Sequence, residues 1–351
     1  MPIKTAADID LIKQGVYQIP VKTETQGMNS KFFQNVLFGG PTISSNGDYL
    51  VMDYRTMGAP LATEALKGAD PTRVNYNTGF NEKAIFGQYY NPEDQVSVDQ
   101  AVNRVWGEPI DQPWDMNTRL SYLLAEKRDM MIASISSAVE KLCVDSVLNG
   151  YFETKYNGMQ TFPLTMTLLG QAGANMSTDP VGVISKGVQA ILKKKGTLPK
   201  MLIMNPEDAV TVFSKAEVLN LFDNRRVLGN EKFYQALDEN GAAYCGTLNL
   251  PGIGTISVVA YYGTYDKSPT TKEYFLPKGK AILCPEVIGS KGYCGVYVSN
   301  GLYTGKTAVD YAVNIWAKQE SVPYSTHIQV QSAPCPIVTA IDRYCVFTNI
   351  S

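Results

Sequence analysis

The strongest constraint on this chain is one long helical pattern, Thr118 to Asn149. Leu120, Leu124, Met131, Ile135, Ala138, Val139 and Leu142 recur there at intervals of three, four and seven. Glu126, Arg128, Ser136, Ser137, Glu140 and Lys141 fall largely on the opposite side, which predicts an amphipathic helix. Thr118 is the expected amino-terminal cap, and Gly150 is placed to end the helix. At 1.5 Å per residue such a rod is roughly 48 Å long. A compact globule of this chain length has a radius of gyration near ~20 Å, so the rod crosses almost the whole molecule and an elongated shape is expected.

A second extended feature precedes it. Asp48 to Thr56 and Phe80 to Tyr90 read as two strands around a polar tip, Gly58 to Asn77, and together predict a long hairpin. At ~3.3 Å per residue the hairpin reaches roughly 50 Å if its strands continue into the tip. A two-stranded ribbon alone is marginal in water because it buries too little to offset its ordering. Large side chains on both faces, Tyr49, Val51, Phe86 and Tyr90 among them, make another protein surface the expected partner.

Residues 1–45 mix short apolar clusters with Gly39, Gly40 and Pro41 and read as an extended arm. After a strand-and-loop passage, Tyr156 to Met176, an α/β section follows. Asp179 to Lys194 is an amphipathic helix, and Met201 to Met204 a short buried strand. Asn205-Pro206-Glu207-Asp208 supplies a cap, a first-turn proline and two acids at a helix start. Glu217 to Phe222 and Glu231 to Leu237 are short helical candidates. Strands are expected at Thr255 to Tyr262, Glu273 to Leu276, Ala281 to Cys284, Ala312 to Trp316, His327 to Gln331 and Arg343 to Thr348.

Composition narrows the function classes. A formal charge of −2 in 351 residues gives no strong field, so tight nucleic-acid binding is not expected. Met1 to Gln14 has no apolar signal-peptide core and no run reaches membrane-spanning length, which reads as a soluble chain made in the cytosol. The six cysteines include no CxxC pair, so zinc is disfavoured and buried free thiols are expected.

Catalytic constellations are scarce. His327 is the one histidine, and any Cys-His or Ser-His-Asp chemistry would have to use it. It lies in an alternating run and reads as an ordinary strand residue. Gly252-Ile253-Gly254 lacks the third glycine and following helix of a phosphate loop, so a hairpin turn is expected. Lys193-Lys194-Lys195 reads as a solvated helix end. No enzyme activity, cofactor or metal site is expected.

The order of arm, hairpin, long helix, α/β section and closing strand resembles the Hong Kong 97 capsid fold of tailed phages. Several segments are similar to the lambda-type major head protein family, protein E. They are Asp48 to Thr56 with Phe80 to Asp94, the helix exit Ser146-Val147-Leu148-Asn149-Gly150-Tyr151, and Asp223-Asn224-Arg225-Arg226. Lys272-Glu273-Tyr274-Phe275-Leu276-Pro277 with Ala281 to Cys284, and Gln331-Ser332-Ala333-Pro334, complete the set. After Pro336 the run Ile337 to Asp342 lacks the proline common in the family.

The resemblance implies an α+β capsid subunit with an arm over 1–45 and an extended loop over 46–98. It implies a peripheral domain of 99–175 with 320–351, carrying the spine helix 118–149, and an α/β axial domain of 176–319. The implied function is a major capsid protein assembling into hexamers and pentamers of an icosahedral shell around double-stranded DNA, located in the virion and assembled in the host cytoplasm. Implied partners are further copies of the chain, separate scaffolding and portal proteins, and a decoration protein in some relatives. DNA contact would be weak and non-specific. Candidate intersubunit contacts are Tyr49, Tyr54, Arg55, Phe86, Tyr89, Tyr90, Arg225 and Arg226, with Asp223 to Asn230 near the capsomer axis. Crosslinking chemistry is not supported, since Lys67 and Lys83 have no identified acceptor. The rival readings are an encapsulin-like compartment shell, a phage tail tube, and a hydrolase pairing His327 with a cysteine.

Overall fold

A computed structural model describes residues 30–58, 77–109, 112–155, 157–161, 167–169, 176, 178–195, 197–215, 218, 221, 240–250, 252–268, 270–299, 304–318, 325–340, 342–348 and 350. The long helix runs from Met116 to Asn149. Its cap lies three residues before the expected one, because Asp115 and not Thr118 takes the extended cap conformation; Thr118 instead donates its hydroxyl to the Asp115 carboxylate. Gly150 ends it in the left-handed region at φ 74°, its N–H donating to the Ser146 carbonyl, a conformation other residues adopt at a cost.

The face expected to meet solvent is covered over the helix's second half, and Ser136 and Glu140 are buried. The cover comes from the arm, whose described part is extended at Gly40–Ser44 but helical just before it. Phe33–Leu37 forms one π-helical turn, and Phe32, Phe33, Leu37 and Phe38 sit in the same core as the helix residues Ile135, Val139, Cys143 and Val147. Four apolar rings and chains within seven residues bury enough surface to hold the turn in place.

Six strands form the largest sheet, in the order Thr167–Leu169, Cys345–Thr348, Lys280–Cys284, Met201–Met204, Gly254–Tyr261, Ala242–Leu250. Met201–Met204 is central and reads as four consecutive apolar residues because both of its faces are covered. Asn205 caps the next helix, Pro206–Phe213, by accepting from the Glu207 N–H, and Asp208 accepts from the Gly279 N–H at 2.7 Å. The helix Pro180–Lys195 packs on this sheet in a second core with Val188, Ile191, Leu283 and Phe347. Gly252 and Gly254 fall in the turn joining two antiparallel strands, as the hairpin reading required. Thr167–Leu169 and Cys345–Thr348, given to the peripheral domain on resemblance, pair into this six-stranded sheet beside strands given to the axial domain.

A three-stranded sheet of Ala312–Lys318, Ser325–Gln331 and Glu93–Ser97 lies against the long helix, with Lys127 paired to Asp94 across the contact. A smaller sheet joins Gly40–Ser44, Gly289–Tyr293 and Pro334–Val338. Its middle strand, GSKGY, has glycine where the packing is closest: a Cβ at Gly292 would lie 2.5 Å from both the Cys335 carbonyl and the Leu50 side chain. The helical candidates Glu217 to Phe222 and Glu231 to Leu237 lie largely or wholly outside the described residues.

Candidate assembly surface

Tyr49–Gly58 and Asn77–Phe86 pair as an antiparallel ribbon, in register from Tyr49 opposite Phe86 to Gly58 opposite Asn77. Ten residues per strand give a described length of about 30 Å. The ribbon is a separate two-stranded sheet.

The protein fixes the ribbon's base firmly. Gly295 donates to the Gly47 carbonyl at 2.8 Å, and Ala308 to the Asn46 side chain at 3.0 Å. Lys306 pairs with Asp48. On the returning strand Phe86 donates its N–H to Gln160 at 3.1 Å, and Lys83 bonds Thr161. Gln88 and Tyr90 then bond the backbone of Pro334 and Ser332. Tyr90 is largely buried, and that burial raises its phenol pKa. The ammonium of Lys83, one of two lysines considered for crosslinking, is thus already held within the chain.

The two faces at the base differ sharply. On one, Leu50 and Ile85 enter the main core with 5% and 1% exposure. On the other, Tyr49 and Val51 are 46% and 51% exposed, with Ala84 also open and Phe86 half-buried. The Tyr49 and Phe86 rings meet at 5.5 Å, so the bare face is shaped and not a scatter of loose side chains. Tyr89 and Tyr297 are exposed nearby, and Lys306 sits over the Tyr297 ring. Farther out, Tyr54 lies opposite Asn81 and Arg55 opposite Phe80 in the ladder. Arg225 and Arg226 lie outside the described residues, as does Lys67.

The sequence reading missed a second bare strip. Val313 and Ile315 alternate along the edge strand Ala312–Lys318, while their ladder partners Val330 and Ile328 are buried. The period-two spacing of Val313 and Ile315 was the available signal.

Chemistry at the other candidates is structural. His327 Nδ1 meets Glu93 at 2.8 Å, Nε2 meets Ser325 at 3.0 Å, and Trp316 stacks on the ring. These contacts stitch three neighbouring strands and include no cysteine. All six cysteines are free thiols, five of them buried. Clefts of about 370 and 390 Å³ flank Lys141, which pairs with Asp145 and lies 5.7 Å above the Tyr265 ring. Among the described residues no cluster of three or more His, Cys, Asp or Glu could hold a metal, and no helix is long and apolar enough to cross a membrane.

Residues 26–349 match the family model of phage major capsid protein E. No curated protein matches the chain. Among solved structures, a capsid protein of an Escherichia coli CFT073 prophage superposes with a TM-score of 0.60 at 19% identity, covering 77% of this chain and 79% of its own. A structure from Mycobacterium phage Patience gives 0.49 at 12% identity, covering 96% and 93%. The capsid of cyanophage P-SCSP1u gives 0.47 at 10% identity, covering 94% and 89%.

Proposed function

The chain belongs to the phage major capsid protein E family, and from that premise we propose that its work is geometric, each copy laying its ribbon on a neighbour so that surface left bare in one subunit becomes buried interface. The protein is a bacteriophage major capsid protein with the Hong Kong 97 type of fold, a structural component of the virion that acts as a self-assembling oligomer.

The observation that carries the proposal is the two-faced ribbon. Its inner face supplies Leu50 and Ile85 to the subunit's own core, so the base is rigid. Its outer face leaves Tyr49, Val51 and Ala84 open and Phe86 half-buried among the described residues. Contiguous apolar surface on a rigid projection marks an interaction site, and in a closed homo-oligomer its partner is another copy. Tyr54, Arg55 and Tyr89 extend this contact, the largely buried Tyr90 borders it, and Arg225 and Arg226 serve the capsomer axis.

The finer reading follows the family. Hexamers and pentamers close an icosahedral shell around double-stranded DNA, with separate scaffolding and portal proteins, and assembly takes place in the host cytoplasm. The subunit divides into arm (1–45), extended loop (46–98), peripheral domain (99–175 and 320–351) and axial domain (176–319). Strands 167–169 and 345–348 are lent to the axial sheet. No step of this function requires chemistry on a substrate.

Deleting residues 57–79 is the test. Soluble, folded subunits that form no closed shells under the electron microscope are expected. Normal particles from the deletion would refute the interlocking role.

A further inference from the structure

Glu140 sits where three parts of the subunit meet, with none of its surface open to water. It projects from the long helix, and its carboxylate accepts three hydrogen bonds. Two come from the arm's helical turn, the Phe33 N–H at 2.8 Å and the Gln34 N–H at 3.0 Å. The third comes from the Tyr261 hydroxyl at 2.7 Å, on the last residue of an axial-sheet strand. Gln34 doubles the link by donating its side-chain amide to the Ser136 carbonyl of the helix at 2.6 Å. Rings close the junction: Phe32 and Phe33 lie 5.7 and 5.3 Å from Tyr261.

We infer that Glu140 is a proton-linked latch that holds the root of the arm to the spine helix and the axial sheet, and that lets go more readily as the solution becomes alkaline.

Among the described residues no ion pair to Glu140 is present. The titratable groups around it are Tyr261 from the sheet and Cys143 from its own helix, while Lys291 from the strand Gly289–Tyr293 acts on Cys143. The arm contributes the two backbone amides and the Gln34 carboxamide. Neutral donors favour the charged form, but burial opposes it more strongly and pushes the carboxyl up to about 7 from its ordinary 4.5. Residues 32–38 form part of the cover, so lifting them would admit water and return the group to its ordinary range.

Docking therefore binds a proton more tightly than release does. The arm is held best below about 4.5, and its hold declines as pH rises through about 7. The latch lies wholly within one subunit, so it stands or falls independently of how copies interlock.

Hydrogen exchange over residues 33–38 of the full-length, unassembled protein tests this, with rates corrected for the intrinsic dependence on pH. For one ionisation moving between 4.5 and about 7, protection is expected to fall roughly tenfold from pH 6 to pH 8. In Glu140→Gln the same segment should show equal protection at both. Tyr261→Phe keeps the ring and removes one donor to the charged form, so its fall between these values should be steeper than in the wild type. Equal wild-type protection at pH 6 and 8, or an undiminished fall in Glu140→Gln, would overturn the inference. Should Glu140→Gln fail to fold, an unchanged slope in Tyr261→Phe would overturn it alone.

Discussion

The second half of the long helix and the base of the ribbon mix polar and apolar residues, yet their exposures run in opposite senses. On the helix, polar Ser136, Glu140 and Ser146 are buried. On the ribbon, apolar Tyr49 and Val51 are open. Buried polar groups and bare apolar ones are the informative exceptions to the usual sorting. At Glu140 and Ser146 the chain resolves the exception itself: Glu140 receives three donors and the Ser146 hydroxyl donates to the Leu142 carbonyl at 2.6 Å. At the ribbon the described residues leave Tyr49 and Val51 about half open. One region is satisfied largely within a subunit, and on the proposed function the other is completed by a second copy.

Removing the carboxylate should break the first region most. Glu140→Ala leaves two backbone amides and a tyrosine hydroxyl buried without their acceptor. The expected loss of subunit stability is on the order of 3 kcal/mol by denaturant titration. A loss below about 1 kcal/mol would mean that water already reaches the junction.

On the ribbon the same titration should barely move. Val51→Asp changes a half-exposed position on the bare face, so stability is expected to stay within about 0.5 kcal/mol of the wild type. Light scattering should nevertheless show assembly lost. Folded subunits of this variant that close into shells as readily as the wild type would remove the outer face from the interface.

Much of this contrast could be read from the letters, and the reasons for the rest are specific. The ribbon strands, Met201–Met204 and the stop at Gly150 carry local signals, namely alternation, a short apolar run with a capped proline after it, and a glycine. The helix cap slipped by three residues because Asp115 and Thr118 are both good caps and the choice lies in the backbone leading to them. Burial of Glu140 was not legible, since its donors Phe33 and Gln34 lie 107 and 106 residues away. The arm's described turn escaped for the same reason: five residues have no helical period to detect, and their packing partners are distant. Gly289–Tyr293 was missed because its glycines, placed for close contact with Leu50 and Cys335, disguise a strand.

For the assembly surface, aromatic content on both ribbon faces pointed to a partner but could not say which face the subunit keeps. Only the placement of Leu50 and Ile85 in the core separates them from Tyr49 and Val51. Val313 and Ile315 show the same limit, because alternation reveals a strand face without saying where the covering helix ends.

The most direct test of the account is a cryo-electron microscopy reconstruction of the assembled particle at side-chain resolution. The account predicts that Tyr49, Val51 and Phe86 of every subunit lie in contact with a neighbouring copy, while Leu50 and Ile85 remain inside their own. A closed shell in which the ribbon's outer face stays open to solvent in all subunits would contradict it.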